Sequence, residues 1–320
     1  MPSPSLADFQ RLAAELEGTL HVDDTMRTLY ATDASVYREV PQAVALPRTE
    51  ADLTKLVHFA RAHGTSLIPR TAGTSLAGQV VGKGIVVDVS RHFNRILEID
   101  PVRRRVRVQP GVVRNELNLA LAPLGLFFAP ETSTQNRCMI GGMVGNNACG
   151  ANSVVYGSTR EHLLSARAVL SDGSTVEFGA LSVEEFRAKG VGDTLEASLY
   201  RDVAELLGNA GHRAEIAREF PKPSIHRRNT GYALDLLAAC APFTPEGPPF
   251  NFCRLLAGSE GTLAFLTEVT LACVPVPPSG ALVCVHCATI EEALQANLVA
   301  LRHAPRSCEL IDDRILECTK

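Results

Sequence analysis

The sequence predicts a mixed α+β fold, and three observations carry that reading. A compact β-α-β unit runs from residue 43 to residue 68. Three short runs rich in β-branched residues follow, at 85–89, 96–99 and 105–108, with turns rather than helices between them. Helical periodicity then returns only at separated places, 113–124, 183–188 and 197–207. A doubly wound parallel sheet needs strands and helices in regular alternation, and this chain does not keep one.

Taken in order, Ser5 is placed to cap a first helix whose apolar positions Leu6, Phe9, Leu12, Ala13 and Leu16 follow the 3.6 period as far as Gly18. Residues 21–42 carry a weaker pattern, with a turn at 32–35. The β-α-β unit opens with the strand AVAL at 43–46. Its helix starts at Thr49 and Asp52, runs through Leu53, Leu56, Val57 and Ala60, and stops at Gly64; the strand 66–68 follows. The helix over 113–124 is closed by Gly125. Residues 127–157 are rich in Gly, Asn, Ser and Thr with little periodicity, which reads as one long ordered loop or as a disordered segment. Such loops in compact domains are usually functional. Ser171, Asp172 and Gly173 between the runs 166–170 and 175–178 mark a hairpin. Strand character resumes from residue 251. The proline patch 275–278 is the expected domain boundary, and beyond it come a strand at 281–287, a helix at 289–303 and the start of another element.

Composition narrows the function classes. The 320 residues are 46% apolar with a net charge of −4, acids and bases interspersed, so nothing electrostatic points to nucleic acid or an anionic membrane. The basic cluster at 103–107 alternates with valine, the pattern of a strand with one solvated basic face. Nine cysteines lie without a repeated short spacing, several inside apolar or glycine-rich runs, as reduced thiols serving as small hydrophobes in the cytosol would. Cys284 and Cys287 form a CxxC, but on a strand these two point to opposite faces, and no metal is expected there. No stretch approaches the roughly 18 uninterrupted apolar residues of a membrane span. A cytoplasmic protein is expected, peripheral to a membrane only through a partner.

Chemistry concentrates in three glycine-rich stretches: PRTAGTSLAGQ at 69–79, MIGGMVGNNACG at 139–150 and AGSEGTLAFLTE at 257–268. The first follows a strand and presents small residues, hydroxyls and backbone N–H groups, which can lie against phosphate oxygens. Gly73 and Gly78 have Walker A spacing, but Gln79 and Val80 stand where Lys and Ser/Thr must bind phosphate and magnesium. The second is not a dinucleotide fingerprint, because neither the preceding strand nor the following helix is evident in the pattern.

In this order and spacing the three stretches, with NTGYALD at 229–235, resemble the FAD-linked oxidases and dehydrogenases of the vanillyl-alcohol oxidase and p-cresol methylhydroxylase fold. Within that family the resemblance is to the branch of glycolate oxidase flavin subunits, D-lactate dehydrogenases and D-2-hydroxyglutarate dehydrogenases, and it covers residues 44–274. It implies a two-lobed FAD-binding domain at 42–275, with lobes at about 42–100 and 101–275, after an N-terminal helical segment at 1–41. An incomplete α/β cap would follow at 276–320.

Carried over by position, Arg70, Thr71, Ala72, Gly73, Thr74, Ser75, Gly78 and Gln79 would cradle the FAD pyrophosphate. Pro130, Glu131, Thr132, Thr134, Gly141, Gly142, Gly145, Asn146, Asn147 and Gly150 would line the ribityl and isoalloxazine side, and Glu260 and Gly261 would close the third side. The chain departs from the family pattern at Thr71, Glu131, Met143 and Cys149, which replace Gly, Asp, Asn and Gly. Thr74 stands where branches with covalent flavin carry His, so FAD is expected to be non-covalent. His226, Arg227 and Arg228 read either as a solvated basic turn or as cations for a substrate carboxylate.

The resemblance implies oxidation of a D-2-hydroxy acid by hydride transfer to flavin, with electrons leaving to a quinone, flavoprotein or iron–sulfur partner. The family's base comes from an H-x-D-G-N-x-H motif, and residues 1–320 do not contain it. The expectation is therefore an FAD-binding part that stops inside its second domain. The alternative expectation is a flavin-binding module without turnover of its own.

Overall fold

The computed structural model describes residues 4–222, 224, 225, 228, 229 and 231–320. Helix Leu6–Glu15 begins at a reciprocal cap, in which Ser5 Oγ accepts from Asp8 N and the Asp8 carboxylate accepts from Ser5 N. Its buried face, Phe9 and Leu12, packs with helix Glu50–His63 into the core of the first lobe. Helix Glu50–His63 has the predicted limits, with the Thr49 side chain accepting from Asp52 N and Gly64 at φ +60°. Asp52 is buried on that helix, and its carboxylate accepts from the backbone N–H groups of Glu17, Gly18 and Arg48, each at 2.9 Å. Burial works to raise its pKa, but the three donors outweigh burial and hold the carboxyl below its ordinary range.

Four strands make the sheet of this lobe: β1 (Thr19–His21), β2 (Ala43–Leu46), β3 (Leu67–Arg70) and β4 (Ile85–Asp88), in the order β1-β2-β4-β3. The N-terminal segment is thus part of the lobe, with β1 as its antiparallel edge. The two strands of the β-α-β unit do not pair, because β4 enters between them, parallel to both. Strand β3 also runs two residues beyond the predicted 66–68, carrying Pro69 and Arg70 into the ladder opposite Val87 and Asp88.

The second lobe is built on β5 (Ile96–Asp100), β6 (Arg105–Val108), β8 (Leu163–Val169), β9 (Thr175–Phe178) and β10 (Phe265–Ala272), antiparallel in the order β5-β6-β10-β8-β9. A small pair of strands, β7 (Leu126–Phe127) and β11 (Val274–Pro275), lies apart. The hairpin is as predicted, with Gly173 at φ +86° and Leu170 N donating to Ser174 O. On β6, Val106 and Val108 are buried while Arg107 faces out and pairs with Glu268 at 2.8 Å, so the basic cluster is a solvated strand face. Helices Val183–Lys189 and Leu195–Gly208 deliver Phe186 and Tyr200 to an aromatic cluster with Phe250 and Phe252. Cys138, Cys240, Cys253 and Cys273 are buried in this core, and burial pushes the Cys253 and Cys273 thiols up to about 12.

Two expectations fail here. Residues 127–157 are not one irregular loop: Ile140–Gly145 and Ser153–Tyr156 are short helices. Residues 281–287 form no strand, and the elements beyond Pro275 among the described residues are helices Ile290–Leu301 and Asp313–Glu317. The ladder is what makes an extended run a strand, and none of the described strands pairs with these residues. Leu282 and Val283 consequently stay exposed.

Candidate cofactor site

The three glycine-rich stretches, far apart in sequence, meet at one cleft of about 710 Å3, part of it open to solvent. Strand β3 delivers the first at its carboxyl end: Arg70, Thr71, Ser75 and Gln79 line the cleft. Helix Ile140–Gly145 brings Gly141, Gly142, Gly145 and Asn146, and the turn ahead of β10 brings Glu260 and Gly261. Apolar residues complete the walls, among them Val80, Val89, Pro110, Leu256, Phe265 and Leu266, none of which was named among the predicted site residues.

Glycine is required here by close approach. A Cβ at Gly141 would stand 2.5 Å from Pro110, one at Gly142 would stand 2.8 Å from Thr71 Oγ1, and one at Gly261 would stand 3.0 Å from Pro69. At these three positions the wall is therefore backbone, beside the apolar side chains that form the rest of it. Gly73 lies behind the wall, at φ +65°, with space for a Cβ taken by the Arg70 guanidinium. Ala72, Gly73, Thr74, Gly78, Pro130, Glu131, Thr132, Thr134, Asn147 and Gly150 do not line the cleft as it stands.

Arg70, Tyr30 and Asn147 brace the cleft. Arg70 packs its guanidinium against Gly73, donates to Thr32 O at 2.8 Å and lies over the Tyr30 ring. Burial pulls its pKa down, against the opposing effects of Asp88 and Tyr30. Tyr30 in turn donates to Asp88 at 2.7 Å, and burial first and this bond second hold its phenol above the ordinary range. Asn147 is fully buried at φ +47°, accepting from Ser158 Oγ and Arg160 N and donating to Asn229.

Two buried arginines were not among the predicted site residues. Arg160 donates to Ala257 O (2.6 Å) and Gly231 O (2.9 Å), tying the third stretch and the NTGY turn to the second. Arg114 donates to Pro130 O, Gln135 Oε1 and Phe128 O, and Asn118 clamps Phe128 through both its backbone groups. Burial lowers both guanidinium pKa values, and among the described residues neither has a carboxylate within ion-pair distance. Arg114 shares a buried helix face with Leu117 and Leu121, at i+3 and i+7, which was a legible signal. Arg160 sits in the polar run TREH, which reads as a surface turn.

Of the three basic candidates, His226 and Arg227 lie outside the described residues. Arg228 is paired with Asp235. Among the described residues no group of three or more His, Cys, Asp or Glu side chains could hold a metal ion, and no helix is long and apolar enough to cross a membrane.

Residues 41–179 match the family described as FAD binding domain. The chain is 38% identical over 297 residues to the D-2-hydroxyglutarate dehydrogenase of Escherichia coli K12, and 36% identical over 310 residues to that of Haemophilus influenzae. Over residues 41–179 the chain carries that FAD-binding domain, and over most of its length it is similar to FAD-linked dehydrogenases. It spans 92% of itself but 28% of the Escherichia coli enzyme, and 47% of the Escherichia coli glycolate oxidase subunit GlcD, to which it is 28% identical. Among solved structures, alkyldihydroxyacetonephosphate synthase aligns over 87% of this chain and 42% of its own, with a TM-score of 0.57 at 18% identity. The 6-hydroxy-D-nicotine oxidase of Arthrobacter nicotinovorans aligns over 82% of this chain and 43% of its own, with a TM-score of 0.52 at 17% identity. These two likenesses establish the fold, that of the p-cresol methylhydroxylase type. The matched domain is one that binds FAD, and Thr74 in the first stretch offers no imidazole for a covalent bond to it.

Proposed function

We propose that this chain is the FAD-holding part of a dehydrogenase that oxidises a D-2-hydroxy acid and passes the electrons to an external quinone, flavoprotein or iron–sulfur acceptor. The observation that carries the reading is the meeting of three glycine-rich stretches at one cleft, in a chain whose relatives include D-2-hydroxyglutarate dehydrogenases. Backbone N–H groups at Thr71 and Ser75 would hold the pyrophosphate, and Gly141, Gly142 and Gly261, which line the same cleft without side chains, would leave room for the flat ring. When bound, the flavin accepts a hydride. Buried apolar residues such as Val89, Phe265 and Leu256 line the cleft and exclude water from one side of the reaction.

A second reading, cofactor binding without turnover by these 320 residues alone, is favoured by one feature. Among the described residues the ionisable side chains lining the cleft are Arg70, which is engaged with Thr32, and Glu260, which is engaged with Gln79; neither is an imidazole. Removing the hydroxyl proton of a 2-hydroxy acid requires a positioned base.

Anaerobic flavin bleaching tests both readings. The FAD-loaded chain should be reduced readily by dithionite and only slowly by D-2-hydroxyglutarate, D-lactate or glycolate. Rapid bleaching by any of these acids would overturn the second reading and place the base within the chain, with His226 the first residue to change. Acid precipitation should leave the flavin in the supernatant, and flavin retained in the pellet would contradict non-covalent binding.

A further inference from the structure

Residues 71–84 contain no helix or strand, and among the described residues their only side-chain hydrogen bonds come from Gln79. Its amide nitrogen donates one proton to Asn146 Oδ1 at 2.8 Å and the other to Glu260 Oε1 at 2.7 Å. One side chain thereby joins all three glycine-rich stretches. The second and third are already joined through their backbones, since Glu260 N donates to Gly145 O at 2.8 Å and Gly258 N to Val144 O at 3.0 Å. Gln79 adds the first stretch to a pair that exists without it.

The backbone at Glu260 supports a role for its side chain. Glu260 is left-handed, at φ +52°, followed by Gly261 at φ +77°. Glycine would hold both positions without strain, so the carboxylate is present at a conformational cost that its bond to Gln79 offsets.

We propose that Gln79 is a positioning residue that fastens the first stretch to the other two, and that this fastening sets how long FAD stays bound. The proposal rests on the FAD reading of the cleft. The amide is suited to the task because both of its protons are donated while the acceptors, Asn146 and Glu260, belong to different stretches. A carboxylate at 79 has no proton to give and would face the Glu260 carboxylate, whereas a thioether at 79 fills the same length and donates nothing.

The test uses Gln79→Met, Gln79→Glu and the double variant Gln79→Glu with Glu260→Gln, in the full chain. In the double variant the amide and carboxylate exchange sides, and Asn146 turns its amide to donate to the new carboxylate. FAD release after dilution, followed by flavin fluorescence, should be about tenfold faster in Gln79→Met and faster still in Gln79→Glu. The double variant should recover to within about threefold of the wild-type rate. Equal release rates in all four proteins would overturn the proposal, as would a double variant no slower than Gln79→Glu. Amide hydrogen exchange of residues 71–84 in the cofactor-free chain reads the fastening without FAD, and it should quicken in Gln79→Met. If the wild-type chain took up no FAD, the cleft reading would fall, and unchanged exchange in Gln79→Met would overturn the fastening by itself.

Discussion

The first and second glycine-rich stretches have similar compositions and opposite supports. The second belongs to the core: Ile140, Met143, Val144 and Ala148 are buried in the main cluster of the second lobe, and Asn147 and Arg160 brace it from beneath. In the first, no residue from 71 to 83 is buried, and its tethers are Arg70 at its entrance and Gln79 near its end. A cradle for an anion needs backbone N–H groups at fixed places, and the protein fixes them in one stretch by packing and in the other by a few polar contacts. Changes under the second stretch should therefore be read in folding stability, and changes in the first in cofactor affinity.

The largest expected effect is at Arg160. Replacing it with Met leaves the carbonyls of Ala257 and Gly231 without their donor in a buried place and should lower unfolding free energy by about 3 kcal/mol. Denaturant titration of the cofactor-free chain measures this, and a loss under about 1 kcal/mol would remove the distinction between the two stretches.

Gly73→Val should act in the opposite register. The branched side chain must adopt φ +65° and displace the Arg70 guanidinium, 2.5 Å from the new Cβ, which distorts the start of the first stretch. FAD affinity should fall by at least about tenfold, with thermal stability of the cofactor-free chain changed far less. Equal losses in both measurements would show that the first stretch is as much a part of the core as the second.

A smaller effect comes from the seam between the lobes, where Glu50 accepts from Arg167 at 2.8 and 3.0 Å and from Thr267 at 2.6 Å. The bond to Arg167 is the main reason its pKa is lowered, against burial and helped by Thr267. A depressed carboxylate pKa means stability that is present above about pH 4.3, the ordinary glutamate value, and lost as pH falls through the lower folded value. The pair is partly solvated, so the contribution is under about 1 kcal/mol. Glu50→Gln should flatten this part of the acid limb, and an unchanged limb would assign it to other carboxylates such as Asp52.

The smallest effect separates two glycines on one helix. A Cβ at Gly145 meets its nearest atom at 3.7 Å, so Gly145→Ala should alter stability by no more than about 0.5 kcal/mol. Gly141→Ala drives a methyl into Pro110, 2.5 Å away, and should be clearly the worse of the two in the same melt.

By itself the sequence determined what depends on neighbours in the chain. The Ser5 and Thr49 caps, the stop at Gly64, the hairpin at Asp172 and Gly173, the α+β class and the three glycine-rich stretches with their order were all legible, because capping, turns and periodicity are local properties. Strand partners were not. Strand β4 enters between β2 and β3, and β10 lies between β6 and β8 although more than 90 residues separate it from either, since pairing is chosen by burial across the whole chain. The same reason accounts for residues 281–287, whose apolar run promised a strand that finds no partner among the described strands. The cofactor site divides along this line. Its glycines could be read in advance because close backbone approach demands glycine whatever lies opposite. Gln79 was read in advance but its partners were not, and Arg160, which ties the stretches together, was settled only by tertiary structure, because a polar side chain declares its partner only once the fold has brought an acceptor within about 3 Å of it.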